Sequence, residues 1–352
     1  MKLTSPLNKD DFKIDINNKM YWTPTKILSY DFHLAMVEGG RGIGKTTQAL
    51  GYMLLDYIKR GKKFVYIRRY KPEIKQFVDQ SKSPLAVIVD GVTYRGDKNG
   101  GYTCLYGGET IGYAIPLSTS KSYKSVKFQD VGWILFDEFT IKRGQTYRYI
   151  SDEVTTFMEL VSSIVRTDKD YRILMLGNNL DLFNPYYQFF DIPLFDTIYW
   201  DKKRKLVCER PKNSPQLLEE EKKTPLYALL EGTAYGEYHY NNKLLTDASG
   251  EIKPEPPATS ILVRLVLNGE TLNINLYPDE NKELNIWVGI KKRVYKDEKT
   301  YTLVEKGNSN LYYVSLYKER LRSYLLRYYG TGRTSYENER ALTLYGWVMD
   351  NL

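Results

Sequence analysis

The run Gly39, Gly40, Arg41, Gly42, Ile43, Gly44, Lys45, Thr46, Thr47 satisfies the pattern G-x-x-x-x-G-K-[ST] in full. Glycines at this spacing let successive backbone N–H groups turn inward around an anion, and a following helix adds the positive end of its dipole. In such a loop the lysine can bridge β- and γ-phosphates while the next hydroxyl binds Mg²⁺. Lys45 and Thr46 take those roles here. About 90 residues further on, the apolar residues Trp133-Ile134-Leu135-Phe136 run into Asp137-Glu138. A buried strand can deliver an Asp to the sheet edge to hold the metal, and the adjacent Glu can polarise an attacking water. These two clusters predict an NTPase that takes ATP and Mg²⁺, with Thr46 and Asp137 as metal ligands and Glu138 as the base.

Three further polar residues admit two readings each. Asn178 follows an apolar run and either senses the γ-phosphate or caps a turn. Arg41, inside the loop, either contacts phosphate or locks Glu138. Arg166 closes an apolar-faced segment, where it is either a surface cation favourable to a helix dipole or a finger that reaches a neighbouring subunit's nucleotide. An N-K-x-D match at Asn8-Lys9-Asp10-Asp11 precedes the loop, whereas a guanine-reading motif should follow it, so a GTPase is disfavoured. A small-molecule kinase usually lacks the Asp-Glu pair and would not need a basic second domain.

The elements that must carry these residues are also legible. Phe32 to Val37 reads as a short buried strand leading into the loop, and Lys45 to Lys59 as a helix with Ala49, Tyr52, Met53 and Tyr57 on one face, closed by Gly61. Phe64 to Ile67, Trp133 to Phe136 and Arg172 to Leu176 read as further core strands. Residues 85–115 read as inserted hairpins. Ser151 is a candidate N-cap, with Asp152 and Glu153 placed for the dipole of a helix whose apolar face is Val154, Phe157, Met158, Val161, Ile164 and Val165. Strands alternating with helices imply an α/β fold with a mostly parallel central sheet covered on both faces. Beyond about residue 205 the texture changes: residues 201–225 are rich in charge and Pro, Ile261 to Ile290 reads as a β-meander, and Tyr312 to Tyr329 as a basic helix. The expected division is an ATPase domain over 1–204, a linker over 205–235 and a smaller α+β domain over 236–352.

Composition sets the outer bounds. The 352 residues are 42% hydrophobic and 27% charged, which excludes a disordered tail protein or a collagenous repeat. Cys104 and Cys208 stand alone, and with two His a Cys/His zinc site is disfavoured; the thiols fit a reducing compartment. No apolar run is long enough for a signal peptide or a membrane span, which predicts a soluble intracellular protein with no membrane partner. The net charge of +8 is uneven: residues 236–352 carry +1 and residues 1–235 carry +7. Eight cations fall between Lys59 and Lys75 against one acid, Glu73. Such a cluster, Arg68 and Arg69 included, predicts DNA binding without sequence preference and with steep salt dependence. Lys291-Lys292-Arg293 and Lys318 to Arg327 form a second, weaker candidate patch.

These residues together resemble the DNA-packaging ATPases of small short-tailed bacteriophages with protein-primed linear genomes, relatives of the large terminase motor subunits. The resemblance rests on Arg41 to Thr46, Tyr66-Ile67-Arg68-Arg69-Tyr70-Lys71-Pro72-Glu73, Phe136-Asp137-Glu138-Phe139, Asn184-Pro185-Tyr186 and Glu231 to Glu237. It implies an ATP-driven translocase of double-stranded DNA, acting as a homomeric ring, a pentamer, on the portal of a procapsid. It further implies that the Arg at position 166 acts in trans, that Lys124 lies between subunits, and that Lys71 faces the DNA. A structural packaging RNA is a candidate partner, because some relatives need one. The implied location is the host cytoplasm and transiently the portal vertex, not the mature virion. Terminase relatives carry an RNase H-type nuclease whose first strands bear acidic metal ligands. Ile261 to Leu267 and Leu272 to Leu276 carry none, so an inactive nuclease-like C-terminal domain is expected. A P-loop helicase and an ATP-switched DNA- or portal-binding adaptor are the alternatives.

Overall fold

The computed structural model describes residues 6–141, 149–150, 152–178, 184–190, 192, 195, 197–233, 236, 240, 251–257, 259–267, 270–280, 282–291, 299–302, 320–330 and 333–351. Ser151, Ala234, Tyr235, Glu237, Lys292, Arg293 and Lys318, singled out above, lie outside the described residues. One compact unit comprises Met1–Leu180 with Asn184–Leu245, and a second comprises Thr246–Leu352.

In chain order the first unit contains α1 (Thr25–Leu28), β1 (Leu34–Gly39), α2 (Lys45–Arg60), β2 (Lys63–Arg68), α3 (Lys71–Val78), α4 (Pro84–Ile88), β3 (Thr93–Gly96), β4 (Tyr102–Tyr106) and β5 (Glu109–Pro116). A 3₁₀ segment over Leu117–Tyr123 follows, then β6 (Val131–Asp137), α5 (Glu153–Val165), β7 (Arg172–Asn178), α6 (Pro185–Phe189), β8 (Ile198–Asp201), β9 (Leu206–Glu209), α7 (Pro215–Lys222) and α8 (Pro225–Leu230). The strands form one nine-stranded sheet in the order β3-β4-β5-β2-β6-β7-β1-β9-β8. The run from β5 to β9 is parallel throughout, and the antiparallel β3-β4 and β8 lie at the edges.

Period-2 alternation explains how one strand serves two cores. All seven residues of β6 are buried. Trp133 and Leu135 face the cluster that includes Ala49, Met53 and Tyr57 of α2. Ile134 and Phe136 face the opposite cluster, with Phe157, Val161 and Ile164 of α5. Gly61 ends α2 as expected, with φ of 69° and its N–H donated to the Tyr57 carbonyl at 2.8 Å.

Two expectations about this unit are corrected. Residues 85–115 are not a free insertion: α4 occupies their start, and β5 pairs in parallel with β2, so the hairpins extend the central sheet. The expected linker at 205–235 begins inside the core. β9 lies parallel to β1, with all four of its residues buried, and the cationic run Lys202 to Lys205 is the turn of the β8-β9 hairpin. Arg204 pairs with Asp201 at that turn, and Lys205 with Asp31 at 2.5 Å.

The second unit contains β10 (Glu251–Ile252), β11 (Ser260–Leu267), β12 (Glu270–Pro278), β13 (Leu284–Lys291), β14 (Thr300–Thr302), α9 (Arg320–Gly330), β15 (Thr334–Tyr336) and α10 (Glu339–Asn351). Its six-stranded sheet has the order β10-β15-β13-β12-β11-β14. β11 to β13 are the antiparallel meander read from the sequence, and β14 is parallel to β11. Val263, Leu265, Ile274 and Val288 pack with Leu325 of α9 and with Leu344, Tyr345 and Val348 of α10. The helix expected over Tyr312 to Tyr329 is described only as α9; residues 311–319 lie outside the described set. Among the described residues no helix is long and apolar enough to cross a membrane.

Candidate active site

The phosphate loop joins β1 to α2. Gly42 and Gly44 hold φ values of 77° and 79°, where a side chain would be strained, so glycine is required for the amides to turn inward. The floor is tight: a Cβ at Gly39 would lie 2.8 Å from Ile43 Cδ1 and 2.9 Å from Pro211 Cγ. Ile43 is buried, and its carbonyl accepts from the Trp22 N–H at 2.9 Å. Lys45 Nζ donates to the carbonyls of Gly39 (2.9 Å) and Gly40 (2.6 Å), and lies 3.5 Å from Asn178 Oδ1. Burial lowers the Lys45 pKa to about 8, partly offset by the charges of Asp137, Glu138 and Glu38. An ammonium so placed has a strong electrostatic reason to accept an anionic partner.

Thr46 donates its hydroxyl to Asp137, with Oγ1 at 3.1 Å from both carboxylate oxygens. Hydroxyl and carboxylate oxygen converging on one point is the donor set a hard cation such as Mg²⁺ takes, with phosphate and water completing it. Thr47 sits half-buried in the same first turn of α2. Asn178 ends β7 beside Gly39, and its carbonyl accepts from Thr140 Oγ1 at 3.0 Å. The structure thus brings Lys45, Thr46, Asp137, Glu138 and Asn178 to the C-terminal ends of β1, β6 and β7. Arg41 is exposed on the loop and bears electrostatically on both Lys45 and Glu138.

Arg68 and Arg69, expected to bind DNA, are instead turned inward onto carboxylates. Arg68, last residue of β2, donates to Glu138 Oε2 at 2.6 Å and to Glu73 Oε1 at 2.8 Å, and lies 3.5 Å from Asp137 Oδ2. Burial opposes its charge, but the carboxylates of Asp137, Glu138 and Glu73 outweigh that and keep it protonated. It, not Arg41, holds Glu138. Arg69 is 3% exposed and grips both Glu153 oxygens at 2.7 and 2.8 Å, with the carbonyls of Glu138 and Phe139 at 3.0 and 2.9 Å. Glu153 also accepts from Tyr186 OH and the Ile150 N–H, so it is a buried counter-ion rather than a surface acid on the helix dipole.

The rest of the Lys59–Lys75 run is dispersed too. Arg60 pairs with Asp56 and Asp170, Lys62 with Asp170, and Lys63 with Asp130 at the start of β2. Lys71 opens α3 beyond the other end of that strand, roughly 20 Å away at the usual rise per residue. Lys71 is exposed, and its aliphatic stem lies over Gly100.

Arg166 and Lys124 share a surface away from the phosphate loop. α5 leaves the C-terminal end of β6 and returns to the start of β7, so its end lies about 18 Å from its beginning, toward the opposite edge of the sheet. Arg166 caps that far end, exposed, with Nη2 donating to the Val126 carbonyl at 3.4 Å. Lys124 pairs with Glu159 of the same helix at 2.9 Å.

Four neighbours had no role at the site assigned from sequence. Tyr66 donates to Asp137 Oδ2 at 2.9 Å, and burial with the Asp137 charge pushes its pKa well up, so it remains a donor. Glu73 supports Arg68 and also accepts from the Tyr70 N–H at 2.7 Å; Pro72-Glu73 at a helix start was the available signal. Glu38, 1% exposed under the loop, accepts from Asn184 Nδ2 at 3.1 Å and lies 3.6 Å from Arg210 Nε. Arg210 itself follows β9, in the segment expected to be linker.

A loop built to wrap phosphates, beside a hydroxyl and a carboxylate able to share one divalent ion, makes this a P-loop nucleotide-binding protein. More particularly, the Podovirus DNA encapsidation protein (Gp16) family matches residues 16–341, and the chain belongs to that family. It is 32% identical over 269 residues to the DNA packaging protein of Bacillus phage phi29, spanning 74% of this chain and 76% of that one. The DNA packaging protein of Bacillus phage B103 is 30% identical over 248 residues, spanning 70% and 75%. Among solved structures, the bacteriophage Phi-29 viral genome packaging motor assembly matches with a TM-score of 0.64 and 25% identity, over 95% of this chain and 99% of that one.

Proposed function

We propose that the chain is an ATP-driven translocase that moves double-stranded viral DNA into a procapsid through its portal, working as a homomeric ring, a pentamer, in the host cytoplasm. The observation that carries the ATPase part is the convergence of Thr46 Oγ1 on both oxygens of Asp137, with Glu138 one residue on. When bound, Mg²⁺ would supply charge neutralisation at the β- and γ-phosphates. Lys45 exchanges the Gly39 and Gly40 carbonyls for phosphate oxygens. Asp137, oriented by Tyr66, and Thr46 would hold the metal. Glu138 orients water and takes its proton, which requires that it leave Arg68, because a carboxylate paired with a guanidinium is a poorer base. Asn178 lies close enough to Lys45 to register the γ-phosphate. Arg166 acts on a neighbour's nucleotide, and Lys124 beside it lies at the same subunit boundary. A procapsid-bound structural RNA remains a candidate partner within this reading.

The test is uptake. Purified chain, procapsids and linear duplex DNA should render DNA resistant to added nuclease only when ATP and Mg²⁺ are present. The DNA recovered should be full length, because β11 and β12 offer no acidic metal ligands between Ile261 and Leu267 or between Leu272 and Leu276. Absence of uptake by procapsids that retain any RNA bound to them would refute translocation, and shortened DNA would refute the inactive nuclease-like reading.

In this reading Lys71, exposed at the start of α3, is the residue that contacts DNA. Lys71→Ala should lower duplex affinity at 50 mM salt and shrink the salt dependence by about one counterion per subunit, with the melting temperature unchanged. Arg69→Ala should instead strand the buried Glu153 and cost about 3–5 kcal/mol of stability. A stable Arg69→Ala chain with weakened DNA binding would reverse this assignment.

A further inference from the structure

A continuous set of contacts runs from Lys71 to Arg166. The tip of the β3-β4 hairpin, residues 97–101, is a tight turn: Asp97 Oδ1 accepts the N–H groups of Asn99 (2.7 Å) and Gly101 (3.0 Å), and the Asp97 N–H reaches the Gly101 carbonyl at 2.8 Å. Gly100, at φ of 89°, lies so close under Lys71 that a Cβ there would meet Lys71 Cδ at 2.9 Å. The turn therefore supports the stem of that lysine. From below, Tyr123 donates its hydroxyl to Asp97, at 3.2 Å from Oδ1 and 3.0 Å from Oδ2. Thr119 of the same 3₁₀ segment donates to the Asn99 carbonyl at 3.1 Å. Burial and the Asp97 charge both raise the Tyr123 pKa, so the phenol keeps its proton.

The ring of Tyr123 is 2% exposed and belongs to the apolar cluster built around Phe157, Leu160 and Ile164 of α5. The next residue is Lys124, paired with Glu159 of α5, and Val126 accepts from Arg166. One side chain thus fastens the hairpin turn under Lys71 to the helix that ends in Arg166.

We propose that Tyr123 is a positioning residue that joins the DNA contact and the trans-acting surface into one rigid body, so that DNA held at Lys71 sets the placement of Arg166 in the neighbouring site. The proposal rests on the reading of Lys71 and Arg166 given above. Tyr123 touches neither nucleotide nor DNA. Its effect is a coupling between two sites, which for ordinary couplings is worth about 5- to 150-fold.

The test measures ATP hydrolysis by the full-length chain, with and without linear duplex DNA. Tyr123→Phe keeps the buried ring and removes only the hydroxyl, while Asp97 retains its two backbone donors. Basal hydrolysis and melting temperature should stay within twofold and 2 °C of wild type, and stimulation by DNA should fall at least fivefold. Asp97→Asn keeps an oxygen that accepts from Tyr123 and should behave as wild type; Asp97→Ala, which also frees the N–H groups of Asn99 and Gly101, should lose DNA stimulation at least as far as Tyr123→Phe. Equal DNA stimulation in Tyr123→Phe and wild type overturns the inference alone. A wild-type chain whose hydrolysis ignores DNA overturns the underlying reading and the inference with it. Loss of basal and stimulated rates in proportion would make Tyr123 merely structural, and also overturns it.

Discussion

Glu138→Gln is expected to bind ATP with wild-type affinity and to hydrolyse it 10²- to 10⁴-fold more slowly, the usual worth of a positioned general base. Glu138 follows β6 directly, adopts φ of 57°, and has its carboxylate on Arg68 while Asp137 accepts from Thr46. Partial burial raises its pKa, and the Arg68 charge works in the other direction. Gln matches the side chain in size and can still accept from Arg68, but it cannot take a proton. Lys45, Thr46 and Asp137 are untouched, so the nucleotide should stay bound. Single-turnover hydrolysis alongside equilibrium ATP binding separates the two quantities. Normal turnover in Glu138→Gln would remove it as the base.

Arg166→Ala is expected to lower hydrolysis by about 10³- to 10⁵-fold in an assembled ring, the range for arginine fingers. The reason is topological. α5 carries Arg166 away from the chain's own phosphate loop, so the guanidinium has no route to the nucleotide of its own subunit. Mixing makes the prediction sharp. Arg166→Ala subunits retain a complete Walker site, and Glu138→Gln subunits retain Arg166. Rings of the two together should hydrolyse ATP although neither does so alone. No recovery at any ratio, in rings verified by size, would count against action in trans.

Chemistry confined to a few consecutive residues was legible before any coordinates. The phosphate loop, the Asp-Glu pair and the residue at the end of β7 each sit at a strand's end, so strand periodicity and local motif together placed them. Arg68 and Arg69 show where that reading stops. Counted along the chain they belong to a dense run of cations. At the end of β2, however, adjacent side chains diverge, one toward Asp137 and Glu138, the other toward Glu153. Apart from Glu73, five residues on from Arg68, their acids lie 69 to 84 residues downstream, where a local charge count does not reach. β9 was lost for a related reason: Leu206-Val207-Cys208 is a short apolar run between Lys202–Lys205 and Arg210, and the flanking charges hide it. Its pairing with β1 is a long-range contact that periodicity does not encode.

Pro211 beneath Gly39 bears on how the molecule can be divided. The floor of the phosphate loop comes from a residue more than 170 positions later in the chain, and the carboxylate of Glu38 is neutralised from the same stretch by Arg210. A polypeptide ending at residue 204 would keep every Walker residue yet lose β9, the neighbour of β1, along with Pro211 and Arg210. A fragment that keeps the floor of the phosphate loop must therefore extend past the β8-β9 hairpin to include Arg210 and Pro211.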